Sequence, residues 1–303
     1  MTNKLVDEWE LHDIGRTLCS PIEGLYECVE QFAHKFYSTQ RADELVQSSR
    51  LREERGTTPQ QDFSDFCNIW VKTIEGGDFQ LKPKASQAEL VIPGTVVYKD
   101  AVEYLVQAKK HGMKIGVLTS GTLAFNVHML KAALPEPVVI GGGEGRSDSD
   151  GKTIDNLADL VDRQFRGEEW GDKDQPESLN RIYDELAKQS GTAYIVFDDK
   201  ITVCEAVLSA YDRKTRVVLM DREGKCQKIP NINNPFRCHE DELKALGTFD
   251  ELSDKQKKVV RLHSRNGKLH PYDGGLEFPR FEVDTDYSAF LRRQISYEDH
   301  MNE

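Results

Sequence analysis

The sequence predicts an α/β protein: a three-layer, Rossmann-like, mostly parallel sheet with a helical cap inserted after the first strand. Three observations predict it. From about residue 93 onward, short apolar strands alternate with amphipathic helices, the mark of βαβ units. Several of these strands end in residues able to do chemistry, and parallel sheets gather reactive groups at the carboxyl ends of their strands. Finally, a mainly helical block, 19–92, interrupts the pattern directly after the first candidate strand.

Taken in order, the first strand precedes Asp13 in "ELHDIGRTLCSP". Its sequence, "DEWELH", alternates charged and apolar residues, whereas a central parallel strand usually reads as a near-continuous apolar run. In 21–37, "PIEGLYECVEQFAHKFY", residues Ile22, Leu25, Tyr26, Val29, Phe32, Ala33 and Phe36 recur at helical spacing, with Pro21 suited to a first turn. Residues 40–56 and 61–76 also read as helices. A Pro-Gly turn, an amphipathic helix and the turn at Gly112 lead to a strand at Ile115–Leu118, which ends in Thr119-Ser120-Gly121. A further helix precedes a strand at Val138–Ile140. Residues 154–166 and 176–189 read as helices, "AYIVF" (193–197) as a strand ending at Asp198-Asp199, and "VVLM" (217–220), after another helix, as a strand. The expected organisation is a core domain of 1–18 plus 93–252, a helical cap of 19–92, and a C-terminal extension, 253–303, that packs on the core or mediates homodimer contacts.

Composition narrows the function. Lys and Arg number 40 against 52 Asp and Glu, a formal charge of −12 over 303 residues. Such a chain repels phosphate backbones and anionic lipid unless a basic patch offsets the charge, and the densest basic run, "DKQKKVVR", is short and flanked by acids. Nucleic acid and membrane are therefore not the expected partners. The six cysteines, at 19, 28, 67, 204, 226 and 238, contain no CxxC pair, and several lie in apolar stretches. They read as free thiols in a reducing, cytoplasmic setting. Cys226, Cys238 and His239 lack a fourth ligand at zinc spacing. The stretch "GGGEGRSDSDGKT" (141–153) approaches a phosphate-binding loop, but Arg146 stands where GxxxxGK[ST] needs glycine, and Glu144, Asp148 and Asp150 would repel phosphates. It reads as an acidic surface loop.

Four motifs in order resemble the haloacid dehalogenase-like (HAD) hydrolases, over roughly residues 10–252. "DIGRTL" (13–18) is similar to that family's D-x-D-x-T-L, "IGVLTSG" (115–121) to its strand ending in Ser or Thr, "DKDQPESLNRIYDEL" (172–186) to its lysine ahead of a helix, and "IVFDD" (195–199) to its strand ending in two acids. "DI–T–SPI" and "GMKIGVLTSGT" are locally similar to the enolase-phosphatase branch, whose substrate is not carried over because that branch has an acid where Gly15 stands. The resemblance implies a magnesium-dependent hydrolase, a phosphatase of a small phosphorylated metabolite working through an aspartyl-phosphate. It implies Asp13 as nucleophile, and Asp13, the Gly15 carbonyl, Asp198 and Asp199 as ligands of Mg²⁺. Thr119, with the Ser120 and Gly121 amides, would hold the phosphoryl oxygens, and Lys173 would neutralise charge.

These residue types suit the chemistry. A carboxylate can attack phosphorus, magnesium takes hard oxygen ligands, and adjacent carboxylates are costly without a cation. Thr119 also suits a helix N-cap, Lys152 rivals Lys173, and His12 reads as a residue packed or hydrogen-bonded in the sheet. The chain departs from the family pattern at Gly15, where family phosphatases carry the second aspartate, their general acid and base. General acid–base catalysis is worth about 10²–10⁴-fold. The alternative expectation is accordingly a catalytically degenerate protein of the same fold that binds a ligand or a protein.

Overall fold

The computed structural model describes residues 7–19, 24–55, 58–78, 91–92, 95–130, 133–140, 152–189, 191–210, 215–224, 240–266, 280–292 and 294. In chain order the elements begin with β1 (Asp7–His12), α1 (Leu25–Phe36), α2 (Thr39–Arg55), α3 (Gln60–Glu75), β2 (Val91–Ile92) and β3 (Thr95–Val96). They continue with α4 (Lys99–Lys110), β4 (Lys114–Thr119), α5 (Leu123–Leu130), β5 (Ala133–Ile140), β6 (Lys152–Asn156), β7 (Arg163–Arg166) and α6 (Gly167–Trp170). The last are α7 (Pro176–Lys188), β8 (Gly191–Asp198), α8 (Ile201–Ser209), β9 (Arg216–Met220), α9 (Glu240–Ala245), α10 (Asp254–Asn266) and β10 (Phe281–Asp284). The chain divides into two compact units, one of residues 1–17 and 174–303, the other of residues 18–173.

In the first unit the strands run in the order β10-β9-β8-β1, and every pairing is parallel. Leu11 lies opposite Val196, Phe197 opposite Val218, and Leu219 opposite Val283. The β8 and β9 runs "IVF" and "RVVLM" are buried throughout, as parallel strands covered on both faces should be. Helices α7 and α8 pack against β8 and β9, and α10 packs on α8. Pro176 opens α7 at a position where its missing N–H has no partner to lose. From Trp9 onward the alternating strand β1 is also buried on both faces, and it reconciles charge with burial locally. Glu10 and His12 lie 3.5 Å apart, His12 Nδ1 is 2.8 Å from the Tyr287 hydroxyl, and the imidazole stacks on Phe197 with ring centres 4.8 Å apart. A polar ladder between the aromatic rings thus replaces the usual apolar face, and His12 is packed in the sheet as its sequence context predicts.

Trp9 accounts for one glycine. A Cβ on Gly191, at the start of β8, would lie 2.6 Å from Trp9 Nε1 and 3.2 Å from the Leu186 carbonyl oxygen. Gly191→Ala is therefore expected to lower stability by about 1–3 kcal/mol through overpacking. A lower urea midpoint at unchanged slope will show it.

In the second unit α1, α2 and α3 pack on one another, α3 also on α5, and β4 pairs in parallel with β7. The three helices match the predicted 21–37, 40–56 and 61–76, except that α1 starts at Leu25 after Gly24, whose φ of 75° breaks the helical path. Residues 21–23 lie outside the described residues. Helix α5 is preceded by Thr122, whose hydroxyl accepts the Phe125 N–H at 3.4 Å, so Thr122 and not Thr119 stands at the cap.

Residues 154–166 are not the helix their apolar spacing predicts. They form the end of β6, a single 3₁₀ turn at Leu157–Leu160, and β7. Leu157 and Leu160 are buried in the turn, while Phe165 is buried in a strand paired with β4. The Asp162 carboxylate fixes this arrangement by accepting the Ile115 N–H and the Lys109 ammonium, each at 2.8 Å. Pairing across to β4 satisfies more of this segment's backbone than an isolated helical turn would. Strand β5 also departs from expectation. It begins earlier, at Ala133, and pairs antiparallel with β6, with a register shift across its two prolines.

Four free cysteines, 19, 28, 67 and 204, are buried, and burial pushes the Cys67 thiol up to about 12, so it behaves as a small apolar group. Cys226, Cys238, His239 and the loop 141–151 lie outside the described residues. Among the described residues no helix is long and apolar enough to cross a membrane.

Candidate active site

The first unit brings three of the predicted residues together. The Asp13 N–H donates to the Phe197 carbonyl at 2.9 Å, extending the β1–β8 ladder by one rung. That rung sets Asp13 at the carboxyl end of β1, level with the end of β8, where Asp198 and Asp199 follow Phe197. One carboxylate oxygen from each of Asp13, Asp198 and Asp199 lies within 4.8 Å of the others. Asp13 and Asp198 are buried, and Asp199 is partly exposed. Asp198 is oriented from its own turn: its Oδ1 accepts the Lys200 N–H at 2.9 Å.

Electrostatics decides what this arrangement can hold. Two unit charges 4.8 Å apart repel by on the order of 3 kcal/mol at an effective dielectric near 20. A cation among the three carboxylates would offset that repulsion. Their donors are hard carboxylate oxygens at or just beyond the ends of two adjacent strands, which suits a small divalent ion such as Mg²⁺ better than a soft metal. The donor set fits that ion.

Gly15 occupies the loop just beyond. A Cβ there would have only Asp13 Oδ2 nearby, at 4.0 Å, so the missing side chain leaves room rather than a filled space. Its neighbour Arg16 is the only non-glycine with positive φ among the described residues, at 60°. Holding an L-residue in this left-handed region costs about 1 kcal/mol. Its guanidinium points back to Asp199, with Nη1 3.8 Å from Oδ2. The loop is pinned at its far end by Arg222, which donates to the Thr17 carbonyl at 2.8 Å while its guanidinium lies 5.5 Å from the Tyr287 ring centre.

The remaining predicted residues belong to the second unit. Thr119, at the end of β4, is buried, and its hydroxyl accepts the Gly121 N–H at 3.0 Å. A ligand oxygen arriving at the Gly121 amide would compete with that internal bond. Gly121 is required by its surroundings, since a Cβ would lie 2.7 Å from Asn126 Oδ1. The Ser120 carbonyl accepts Gln60 Nε2 at 2.8 Å, tying the start of α3 to this loop. Lys173, in the turn before α7, is 4% exposed, an unusual burial for a lysine. Lys152 is the first residue of β6.

Two residues had no role in the sequence reading. Arg16 could have been noticed as the one cation inside the first motif. Gln60 carries no sequence signal, because its contact spans 60 residues of chain.

No protein-family model matches the chain, and no curated protein does. Solved structures do. L-2-haloacid dehalogenase from Xanthobacter autotrophicus is 13% identical, with 96% of this chain and 98% of that one covered, at a TM-score of 0.40. The archaeal beta-phosphoglucomutase from Pyrococcus sp. strain ST 04 is 14% identical, with 71% and 87% covered, at 0.39. A variant of CbbY from Rhodobacter sphaeroides, in complex with xylulose-(1,5)bisphosphate, is 12% identical, with 71% and 86% covered, at 0.40.

Proposed function

We propose that this protein is a HAD-like, divalent-cation-dependent phosphohydrolase acting on a small phosphorylated metabolite. The observation that carries the reading is the convergence of Asp13, Asp198 and Asp199 at the ends of two adjacent parallel strands. Asp13, the Gly15 carbonyl, Asp198 and Asp199 would hold Mg²⁺, which when bound supplies charge neutralisation at the phosphoryl group.

In this reading an Asp13 carboxylate oxygen attacks phosphorus, and the bond from phosphorus to the leaving oxygen breaks. The leaving group departs with the bonding electrons and takes a proton from water, because Gly15 has no acid to give. Water then attacks the aspartyl-phosphate at phosphorus, releasing inorganic phosphate and regenerating the Asp13 carboxylate. Thr119, with the Ser120 and Gly121 amides, is assigned to the phosphoryl oxygens, and Lys173 to charge neutralisation; phosphoryl transfer depends mainly on such positioning and electrostatics. The helices of 19–92 are assigned to the cap, and cytoplasmic location belongs to the same proposal. The bare Gly15 favours one second reading, a ligand-binding protein of this fold with little turnover.

The metal half is tested by thermal unfolding with and without Mg²⁺. The wild type is expected to gain several degrees at saturating Mg²⁺, since a ligand at 100 times its Kd stabilises by about 2.7 kcal/mol. Asp199→Ala should gain none. Equal gains in both proteins would remove the carboxylates from the metal site.

A further inference from the structure

We infer that Arg16 is a tethered counter-cation of the carboxylate site: it neutralises Asp199 in the metal-free protein and must yield when the divalent ion binds, so that it sets the site's metal affinity. The inference rests on the metal site proposed above and adds a residue to it. Two independent observations carry it. First, Arg16 holds a left-handed backbone that a long side chain adopts only under strain, and no other described non-glycine residue does so. Strain of this kind persists where surrounding contacts over-determine it, and it gathers at functional positions. Second, the strained backbone sends the guanidinium to Asp199, the most exposed member of the carboxylate triad, at 3.8 Å. The side chain is itself 53% exposed, so it can leave without breaking a packed interior.

The charge argument runs in one direction. Three carboxylates repel one another without a cation, and Arg16 reduces that repulsion in the metal-free state. A divalent ion arriving among the same oxygens must displace that positive charge and binds more weakly than it would without it. The geometry thus exchanges metal affinity for stability of the empty site. A 3.8 Å contact of a half-exposed arginine is weak enough to be displaced.

The test is direct Mn²⁺ binding, by electron paramagnetic resonance of the free ion, to the wild type, Arg16→Gly, Arg16→Lys and Asp199→Ala, with thermal unfolding in EDTA alongside. Arg16→Gly should bind Mn²⁺ about tenfold more tightly, from loss of one like charge beside the ion. Arg16→Lys, which keeps the charge, should stay within about threefold of the wild type. In EDTA, Arg16→Gly should not melt lower than the wild type, because release of backbone strain offsets the lost ion pair. Unchanged or weaker Mn²⁺ binding in Arg16→Gly would overturn the inference while leaving the metal site intact. Absence of Mn²⁺ binding in the wild type and Arg16→Gly alike would overturn the metal site itself, and the inference with it.

Discussion

Asp13→Asn will reduce magnesium-dependent hydrolysis of an activated aryl phosphate by about 10⁴-fold or more, the scale on which loss of a covalent nucleophile acts. The substitution is isosteric, and the backbone bond from residue 13 to the Phe197 carbonyl does not involve the side chain, so the fold should stand. It should in fact stand better without metal. Removing one of three carboxylates that converge within 4.8 Å relieves like-charge repulsion, so the EDTA melting temperature should rise, not fall. This pairing of effects separates a nucleophile from a structural residue: a turn aspartate would lose stability and leave the rate alone. Steady-state rates and melting curves on the same preparations decide between them. Equal rates in the two proteins would show that phosphate is not transferred to Asp13.

Much of this arrangement was legible in the sequence because it depends on local pattern. The ends of β4 and β8 could be read from "IGVLT" and "AYIVFDD", where an apolar run stops at polar residues. Helices α1 to α3 were legible from their spacing. What escaped depends on contacts between distant residues. Residues 154–166 have helical spacing, yet β7 forms there because β4 offers an edge, and no local window contains β4. Strand β10 went unread because it is short, only "FEVD", and draws its support from β9, more than 60 residues away. The unusual composition of β1 is likewise explained by Tyr287, at the other end of the chain. At the site, the residue types pointed to a carboxylate triad, but the conformation of Arg16 could not be read. An arginine after a glycine carries no mark that it is the one that adopts positive φ.

Gly15→Asp is the second large effect. Position 15 is open: the nearest atom to a new Cβ is Asp13 Oδ2, at 4.0 Å, and its φ is not in the region that requires glycine. The Cβ of an aspartate therefore enters without overpacking. If the site lacks only a proton donor, the gain will depend on the leaving group. An aryl oxide departs readily as an anion and should gain little, whereas an alkoxide needs the proton and should gain about 10²–10⁴-fold. The diagnostic quantity is the ratio of alkyl to aryl phosphate rates, which cancels differences in active fraction between preparations. A fourth carboxylate beside the triad should also lower the EDTA melting temperature and increase the stabilisation by Mg²⁺, opposite in sign to Asp13→Asn without metal. An unchanged rate ratio, with that electrostatic signature present, would mean that the acid is placed but has no phosphoryl chemistry to assist. The ligand-binding reading would then account better for the intact carboxylates than the hydrolase does.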